Sequence, residues 1–423
     1  MEQVTGRRIK IYEPYVIMLA IYSVFVIVAF VTEHPAELFR GFVRIATSRS
    51  VLLTDYIAVG GLGATLLNVA LAGASSVLML MLTRIKPTGA TIMTMWLTTG
   101  FAFFGKNIFN MLPLTFGVWL HSKCTKRPYN TVASLLVATI SPVVSEISFM
   151  GILYPPLQIS LGVLIGIAIG FIFPAVSAAT MKVHGGYDLY NMGFSGGLIC
   201  AVIASMKKNV GFDIEPANIV SEGNNIILAI GLYLIAAALF CCGVFLRGSG
   251  GSVRQNFRDF FKITENPKIL ASDFYCEHKS GVYINMSLLC VFGTTLSLVL
   301  GAQLNGPIIA GILTIVGFGS YGKHLKNVTP VIIGSIISIQ INQWDLSDTT
   351  NVISVLFATA LAPIAGHYGW LWGIVAGFLH VMLAMHTAYL SGGMNLYNNG
   401  FAAGFVALFL LAIITEFKKD KST

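Results

Sequence analysis

Apolar runs long enough to cross a lipid bilayer recur from one end of this chain to the other, and nothing else in the sequence limits its fold as much. They fall at roughly 15–32, 56–83, 88–105, 107–121, 131–150, 156–181 and 188–206, and again at roughly 225–247, 283–301, 305–321, 325–341, 350–366, 368–390 and 394–416. About 20 predominantly apolar residues wound as a helix cross the roughly 30 Å of hydrocarbon. Only 10% of the residues are charged, where a soluble domain carries about 25%. The expectation is an all-α integral membrane protein with about 14 hydrophobic segments.

The segments fall into two series that repeat each other. Gly100, Phe101, Gly105 and Lys106 recur at constant offset as Gly317, Phe318, Gly322 and Lys323. The match continues without a gap through Asn110 and Asn327, Pro113 and Pro330, and Gly117 and Gly334. "GGYDLYNMGF" at 185–194 answers "GGMNLYNNGF" at 392–401, and "VATISPVVSE" at 137–146 answers "FATALAPIAGH" at 357–367 with one inserted residue. Self-similarity on this scale marks a duplicated unit. It divides the chain into a first membrane repeat, 1–210, and a second, 211–423.

Charge in the connecting loops sets the expected orientation. The net charge of +8 is concentrated in short basic clusters: Arg7, Arg8 and Lys10; Lys123, Lys126 and Arg127; Lys418, Lys419 and Lys421. Such clusters mark cytoplasmic loops. The counterpart of the 122–128 loop carries only Asp345 and Asp348, and the counterpart of the basic chain end carries Asp213, Glu215 and Glu222 beside Lys207 and Lys208. Equivalent loops are thus expected on opposite faces. That gives inverted-topology repeats with both termini cytoplasmic, together with the basic loop 247–281. One stretch runs against this pattern: Glu33 to Asp55, expected outside, holds Arg40, Arg44 and Arg49, and it reads as an amphipathic interfacial helix.

Several function classes drop out. Cys124, Cys200, Cys241, Cys242, Cys276 and Cys290 form no Cys-x-x-Cys and no metal-site spacing, so neither a disulfide frame nor a metal site is expected. There is no His-Glu-x-x-His, Walker A or Gly-x-Ser-x-Gly pattern; no enzyme activity and no cofactor are expected. Nucleic-acid binding needs a soluble basic domain that the chain lacks. The run from Tyr15 to Val31, with no small-residue cleavage site after it, reads as a retained signal-anchor helix.

The candidate site residues come from the repeated phrases. Segments 107–121 and 325–341 reach only about 22 Å at 1.5 Å per residue, and each carries a proline and joins its predecessor at a Gly-Lys turn. That points to re-entrant or broken segments, tolerated at membrane depth only against protein or a wet cavity. Two readings of Lys106 and Lys323 stand: capping of helix carbonyl ends with snorkelling toward headgroups, or presentation of charge to a solute. Asn110 and Asn327, four residues on, would share a helical face with the lysines. Asn191 and Asn398, beside Gly193 and Gly400, serve either helix packing or solute binding. Glu146 and His367, each four residues past a proline, are candidates for ion coupling, the proline freeing a carbonyl one turn back. For His367 the neighbouring Tyr368, Trp370 and Trp372 also fit an interfacial belt.

The Gly-Gly-x-x-Leu-Tyr-Asn-x-Gly-Phe and Gly-x(4)-Gly-Lys phrases resemble those of a bacterial multi-pass membrane family known only as a domain of unknown function; this resemblance implies no substrate. The Leu-Tyr-Asn-x-Gly phrase is also similar to one in urea transporters, which are built from inverted repeats with short pore helices. Inverted repeats place solute sites near the bilayer midplane. The expected function is a secondary transporter of a small polar or anionic solute in the bacterial inner membrane. A passive channel for a small neutral solute and a non-transporting sensor or scaffold are the alternatives. Expected partners are the solute and the bilayer, with homo-oligomerisation left open.

Overall fold

The protein is described here by a computed structural model covering residues 12–212, 217–246, 252–265 and 272–419. Arg7, Arg8, Lys10, Lys421, Asp213 and Glu215, on which the expected topology partly rests, lie outside the described residues, as does part of the 247–281 loop. The described residues are helical throughout, with isolated backbone bridges but no strands.

The first half runs α1 (Glu13–Thr32), α2 (Pro35–Thr47), α3 (Tyr56–Gly60), α4 (Leu62–Leu82), α5 (Gly89–Phe101), α6 (Ile108–Thr125), α7 (Thr131–Leu136), a 3-10 turn (Val137–Ile140), α8 (Pro142–Ser148), α9 (Pro155–His184) and α10 (Asn191–Asn209). The second half repeats the order: α11 (Asn225–Phe245), α12 (Val253–Glu265), α13 (Phe274–His278), α14 (Ser280–Val299), α15 (Gly306–Phe318), α16 (Leu325–Ile341), α17 (Thr349–Ala358), a 3-10 turn (Thr359–Leu361), α18 (Ala362–Tyr368), α19 (Trp370–Leu390) and α20 (Asn398–Lys419).

Among the described residues, eight helices are long and apolar enough to cross a membrane, or nine if the pair α7–α8, bent by 49°, counts as one span. The chain is a multi-pass membrane protein. Every one of the fourteen apolar segments contains helix, but α5, α6, α10, α15 and α16 are not among those spans, so the segments outnumber the spans. The Arg-rich stretch after α1 folds as the amphipathic α2: Leu38, Gly41 and Ile45 are buried while Arg40 and Arg44 are exposed. Its counterpart α12 buries Asn256 and Ile263 and exposes Arg254, Arg258 and Lys262.

At the centre lie α5 and α15, buried at every position but one. A Cβ on Gly100 would sit 3.0 Å from Ala310, and one on Gly317 would sit 2.8 Å from Trp96. C-terminal residues of each helix therefore face the middle of the other, so the pair is antiparallel. Each is capped by the opposite half: Asp273 Oδ1 accepts from the Gly89 amide at 2.7 Å, and the Asp55 carboxylate accepts from the Gly306 amide. Carboxylates at these N-termini satisfy orphan amides and favour the helix dipole. Around this pair, α6 packs on α9 and α16 on α19, each through glycines. α10 crosses α20 at Gly193 and Gly400, where a Cβ on Gly193 would approach the Gly400 Cα to 2.9 Å.

Candidate functional site

The turn that ends each central helix is built the same way twice. Gly105 (φ +78°) and Gly322 (φ +102°) adopt a left-handed backbone that a side chain would strain. The chain then doubles back: the Lys106 amide donates to the Phe101 carbonyl at 3.1 Å and the Lys323 amide to Phe318 at 2.9 Å, closing a Schellman-type cap. Asn68 on α4 donates to the Ala102 and Lys106 carbonyls at 2.8 and 3.0 Å. Asn285 on α14 donates to those of Gly319 and Lys323, both at 2.8 Å. The two lysines are fixed by their backbones before their side chains do anything.

Both side chains point inward, with Lys106 1% and Lys323 0% exposed. They do not snorkel. Lys323 Nζ donates to the Tyr190 hydroxyl and to Thr359 Oγ1 at 2.8 Å. It also sits 4.2 Å from the Tyr190 ring centroid and 4.9 Å from that of Phe318. The carboxylate of Asp188, two residues before Tyr190, attracts this ammonium. Asp188 Oδ1 accepts from the Tyr190 amide at 2.7 Å, while the buried Oδ2 has no hydrogen-bond partner among the described residues. Tyr190 stacks on its counterpart Tyr397 with centroids 4.4 Å apart, so the two repeated phrases meet. Lys106 makes one long polar contact, Nζ to Thr98 Oγ1 at 3.5 Å.

The asparagines four residues on have a different job from the one their spacing suggests. Each lysine lies in the turn ahead of α6 or α16, so no helical face is shared. Asn110 Oδ1 accepts from the Asn107 amide at 2.9 Å, and its Nδ2 donates to the Gly105 carbonyl and Ser145 Oγ. Asn327 repeats the pattern with the His324 amide at 3.0 Å and the Gly322 carbonyl at 2.8 Å. They hold the turn. Asn191 ties α10 to α9 through Ser177, Thr180 and His184; Asn398 ties α20 to α19 through Ala384 and Thr387.

The equivalent pair Glu146 and His367 lies in unlike surroundings. Glu146 is buried and held by Arg49, through two bonds of 2.7 Å, and by Lys207 at 2.7 Å. The cluster borders an apolar groove of 780 Å³ lined by Ile147, Ile165, Ile169, Val202 and Lys207. His367 is exposed and packs edge-on to Tyr187 and Tyr368, as an interfacial aromatic cluster would. The carbonyls beside the prolines each take a backbone amide. Thr139 O accepts from the Leu396 amide and Ala360 O from the Leu189 amide, both at 3.0 Å, so each broken helix grips a repeated phrase.

Sequence reasoning missed Asp188, Tyr190, Tyr397 and Thr359 as members of this cluster. One signal was present: within the duplicated phrase, the only change of charge is Asp188 against Asn395.

Among the described residues no group of three or more His, Cys, Asp or Glu side chains could hold a metal ion. No curated protein and no solved structure matches the chain. One family profile does, over residues 34–209 and 252–416, one stretch in each half. The chain belongs to that family, DUF1576, whose description is "protein of unknown function".

Proposed function

We propose that this chain is a non-enzymatic membrane transport protein, a secondary transporter of a small polar or anionic solute, whose path passes between Lys106 and Lys323. The observation that carries the reading is the full burial of the two equivalent lysines, Lys323 resting on Tyr190, which stacks on Tyr397. Charge at membrane depth costs at least about 2.5–3.5 kcal/mol per residue and is kept where it serves an ion or solute path. Capping a helix needs no such burial, because the backbone and Asn68 already satisfy these turns.

The inverted arrangement of the repeats belongs to this reading. Equivalent helices that run antiparallel, as α5 and α15 do, are related by a two-fold axis across their length. If they stand along the membrane normal, the halves face opposite ways, in keeping with the mirrored loop charges. The coupling carboxylate in this scheme is Asp188, since Glu146 is already matched by two cations. The test is solute-dependent current from proteoliposomes on a solid-supported membrane, screened over small anions and neutral solutes. Wild-type current that disappears in Lys106→Met and Lys323→Met supports the site; equal current in all three removes it.

A further inference from the structure

Two neighbouring helices that pack mainly on other partners leave a groove between them. Gly166 and Gly170 seat α9 on Pro113 and Leu114 of α6, and Gly193 and Gly197 seat α10 on Tyr397 and Phe401. Between α9 and α10 lies the apolar groove of 780 Å³. Its floor is buried at Ile147, Ile169 and Ile199, while Leu161, Val202 and Met206 on its rim are 39%, 61% and 64% exposed. It therefore opens sideways, toward hydrocarbon. Along α9 it runs from Gln158 to Val176, about 27 Å at 1.5 Å per residue. One leaflet contributes only half of the roughly 30 Å hydrocarbon core, so the groove is long enough for an acyl chain.

One end of the groove is closed and charged. Gln158 closes it: Oε1 accepts from the Ile152 and Leu153 amides at 3.0 and 2.8 Å, and Nε2 donates to the Ile147 carbonyl at 3.0 Å. Lys207, on the wall, is nine-tenths buried and donates to Glu146 at 2.7 Å. The same carboxylate takes two bonds from Arg49, whose side chain is 43% exposed, so the fully buried Glu146 lies beneath its cations. Lys208 lines the adjoining pocket of 410 Å³, which shares Phe212 with the groove, and donates to the Tyr389 hydroxyl at 3.1 Å. Among the described residues, three cations thus meet one carboxylate here. Depth fits a headgroup. Tyr154 and Tyr389 are 75% and 77% exposed, as tyrosines of an interfacial belt are, and Arg49 follows by two residues the amphipathic α2, the kind of helix that lies in the interface.

Charge selects the occupant. A basic pocket between membrane helices attracts anionic headgroups, and phosphate oxygens accept short, charge-assisted bonds from Arg and Lys. A second copy of this chain fits less well, because a two-fold interface across the groove would set a second group of three cations beside the first. We propose that the α9–α10 groove binds one anionic phospholipid, an acyl chain lying along Ile165 and Ile169 and the phosphate resting on Arg49, Lys207 and Lys208. Glu146 fixes Arg49 and Lys207 in place and leaves the group net positive. The inference stands apart from the central lysines and from the transport reading.

The test is native mass spectrometry of the purified full-length chain in detergent, titrated with dioleoylphosphatidylglycerol or dioleoylphosphatidylcholine, with glycerol phosphate as soluble competitor. Wild type is expected to hold one phosphatidylglycerol per chain, roughly tenfold or more tighter than phosphatidylcholine. Lys207→Met and Lys208→Gln should each weaken the phosphatidylglycerol adduct about fivefold, the effect of one cation at an anionic surface, and leave phosphatidylcholine unchanged. Ala168→Phe, which fills the groove from an exposed position, should weaken it several-fold. Lys208 and Ala168 are both exposed, so these two variants report even where Lys207→Met folds poorly. Equal affinity for the two lipids overturns the inference and leaves only boundary lipid, as does an unchanged preference in Lys208→Gln. Competition by glycerol phosphate with no effect of Ala168→Phe would replace it by a free-anion site. A lipid-free dimer broken by Ala168→Phe would replace it by an interface between copies.

Discussion

Replacing each central lysine by methionine should have unequal effects on stability, although the two positions are equivalent in sequence. Methionine keeps most of the aliphatic stem, so packing is nearly constant and the difference lies in the ammonium. Removing the Lys323 amino group deletes bonds to Tyr190 and Thr359 and leaves two buried hydroxyls each short of a partner. A buried polar group left unsatisfied costs about 1–3 kcal/mol. Removing the Lys106 amino group deletes one contact of 3.5 Å, and exchanging so poorly bonded a buried polar group for apolar volume is nearly neutral or stabilising. The two variants should therefore differ by at least about 1 kcal/mol, roughly fivefold in the unfolding equilibrium at about 1.4 kcal/mol per decade. Dodecyl sulfate unfolding of the detergent-solubilised protein, followed by tryptophan fluorescence, measures this. The argument is refuted if Lys323→Met is no less stable than Lys106→Met.

Gly334→Ala and Gly377→Ala should each cost more than the usual range of about 1–3 kcal/mol for overpacking. Their Cβ atoms would meet the backbone oxygens of Ile374 and Val331 at 1.9 Å, forcing α16 and α19 apart. Gly231→Ala on α11, with nothing within 4 Å, should be neutral or stabilise by up to about 1 kcal/mol, and the same unfolding assay reads all three. Glu146→Gln should cost about 1.5–3 kcal/mol through its charge-assisted bonds to Arg49 and Lys207 while leaving solute-dependent current unchanged; loss of current with wild-type stability would restore Glu146 as the coupling group. Single cysteines at the exposed positions Lys126 and Asp345 should label from opposite sides of the membrane in intact cells. Hydrogen bonds from Ser347 hold the Asp345 carboxyl below its ordinary range, so that loop stays anionic at neutral pH. Labelling of both positions from one side would remove the inverted-repeat reading.

The helical plan was legible because apolar runs and glycine-framed phrases repeat, and both survive folding as equivalent helices. The amphipathic α2 was legible from Arg40 and Arg44, which fall four residues apart and so on one helical face in a largely apolar stretch. The roles of the site residues were harder to read. Spacing of four residues suggested a shared face for Lys106 and Asn110, but helix α6 starts only at Ile108, and the lysine belongs to the preceding turn. Glu146 looked like a lone membrane carboxylate because its partners, Arg49 and Lys207, are 97 and 61 residues away in sequence. Asp188 stood in plain view within its phrase, but its meaning depends on Lys323, which lies 135 positions on and which only the fold brings within reach.

The contrast between shared and altered positions says how the duplicated frame divides its work. Positions that satisfy backbone groups are the same in both halves: Asn68 and Asn285 on the turn carbonyls, Asn110 and Asn327 on the glycine carbonyls, Asp55 and Asp273 on the amides of the opposite half's central helix. An unpaired buried backbone group costs about 1–3 kcal/mol wherever it occurs, so neither copy can change these freely. Asp188 and Asn395 are under a weaker demand. Both place an oxygen on the following tyrosine amide, and either residue type can do that. What they do with the second atom differs in kind: Asn395 donates to the Gly193 carbonyl and locks the two phrases together, which a carboxylate cannot do, whereas Asp188 brings charge to Lys323. One exchange of oxygen for an amide nitrogen therefore adds a bond between the halves and leaves the second phrase without an acid. The frame stays two-fold while the chemistry at its centre becomes one-sided.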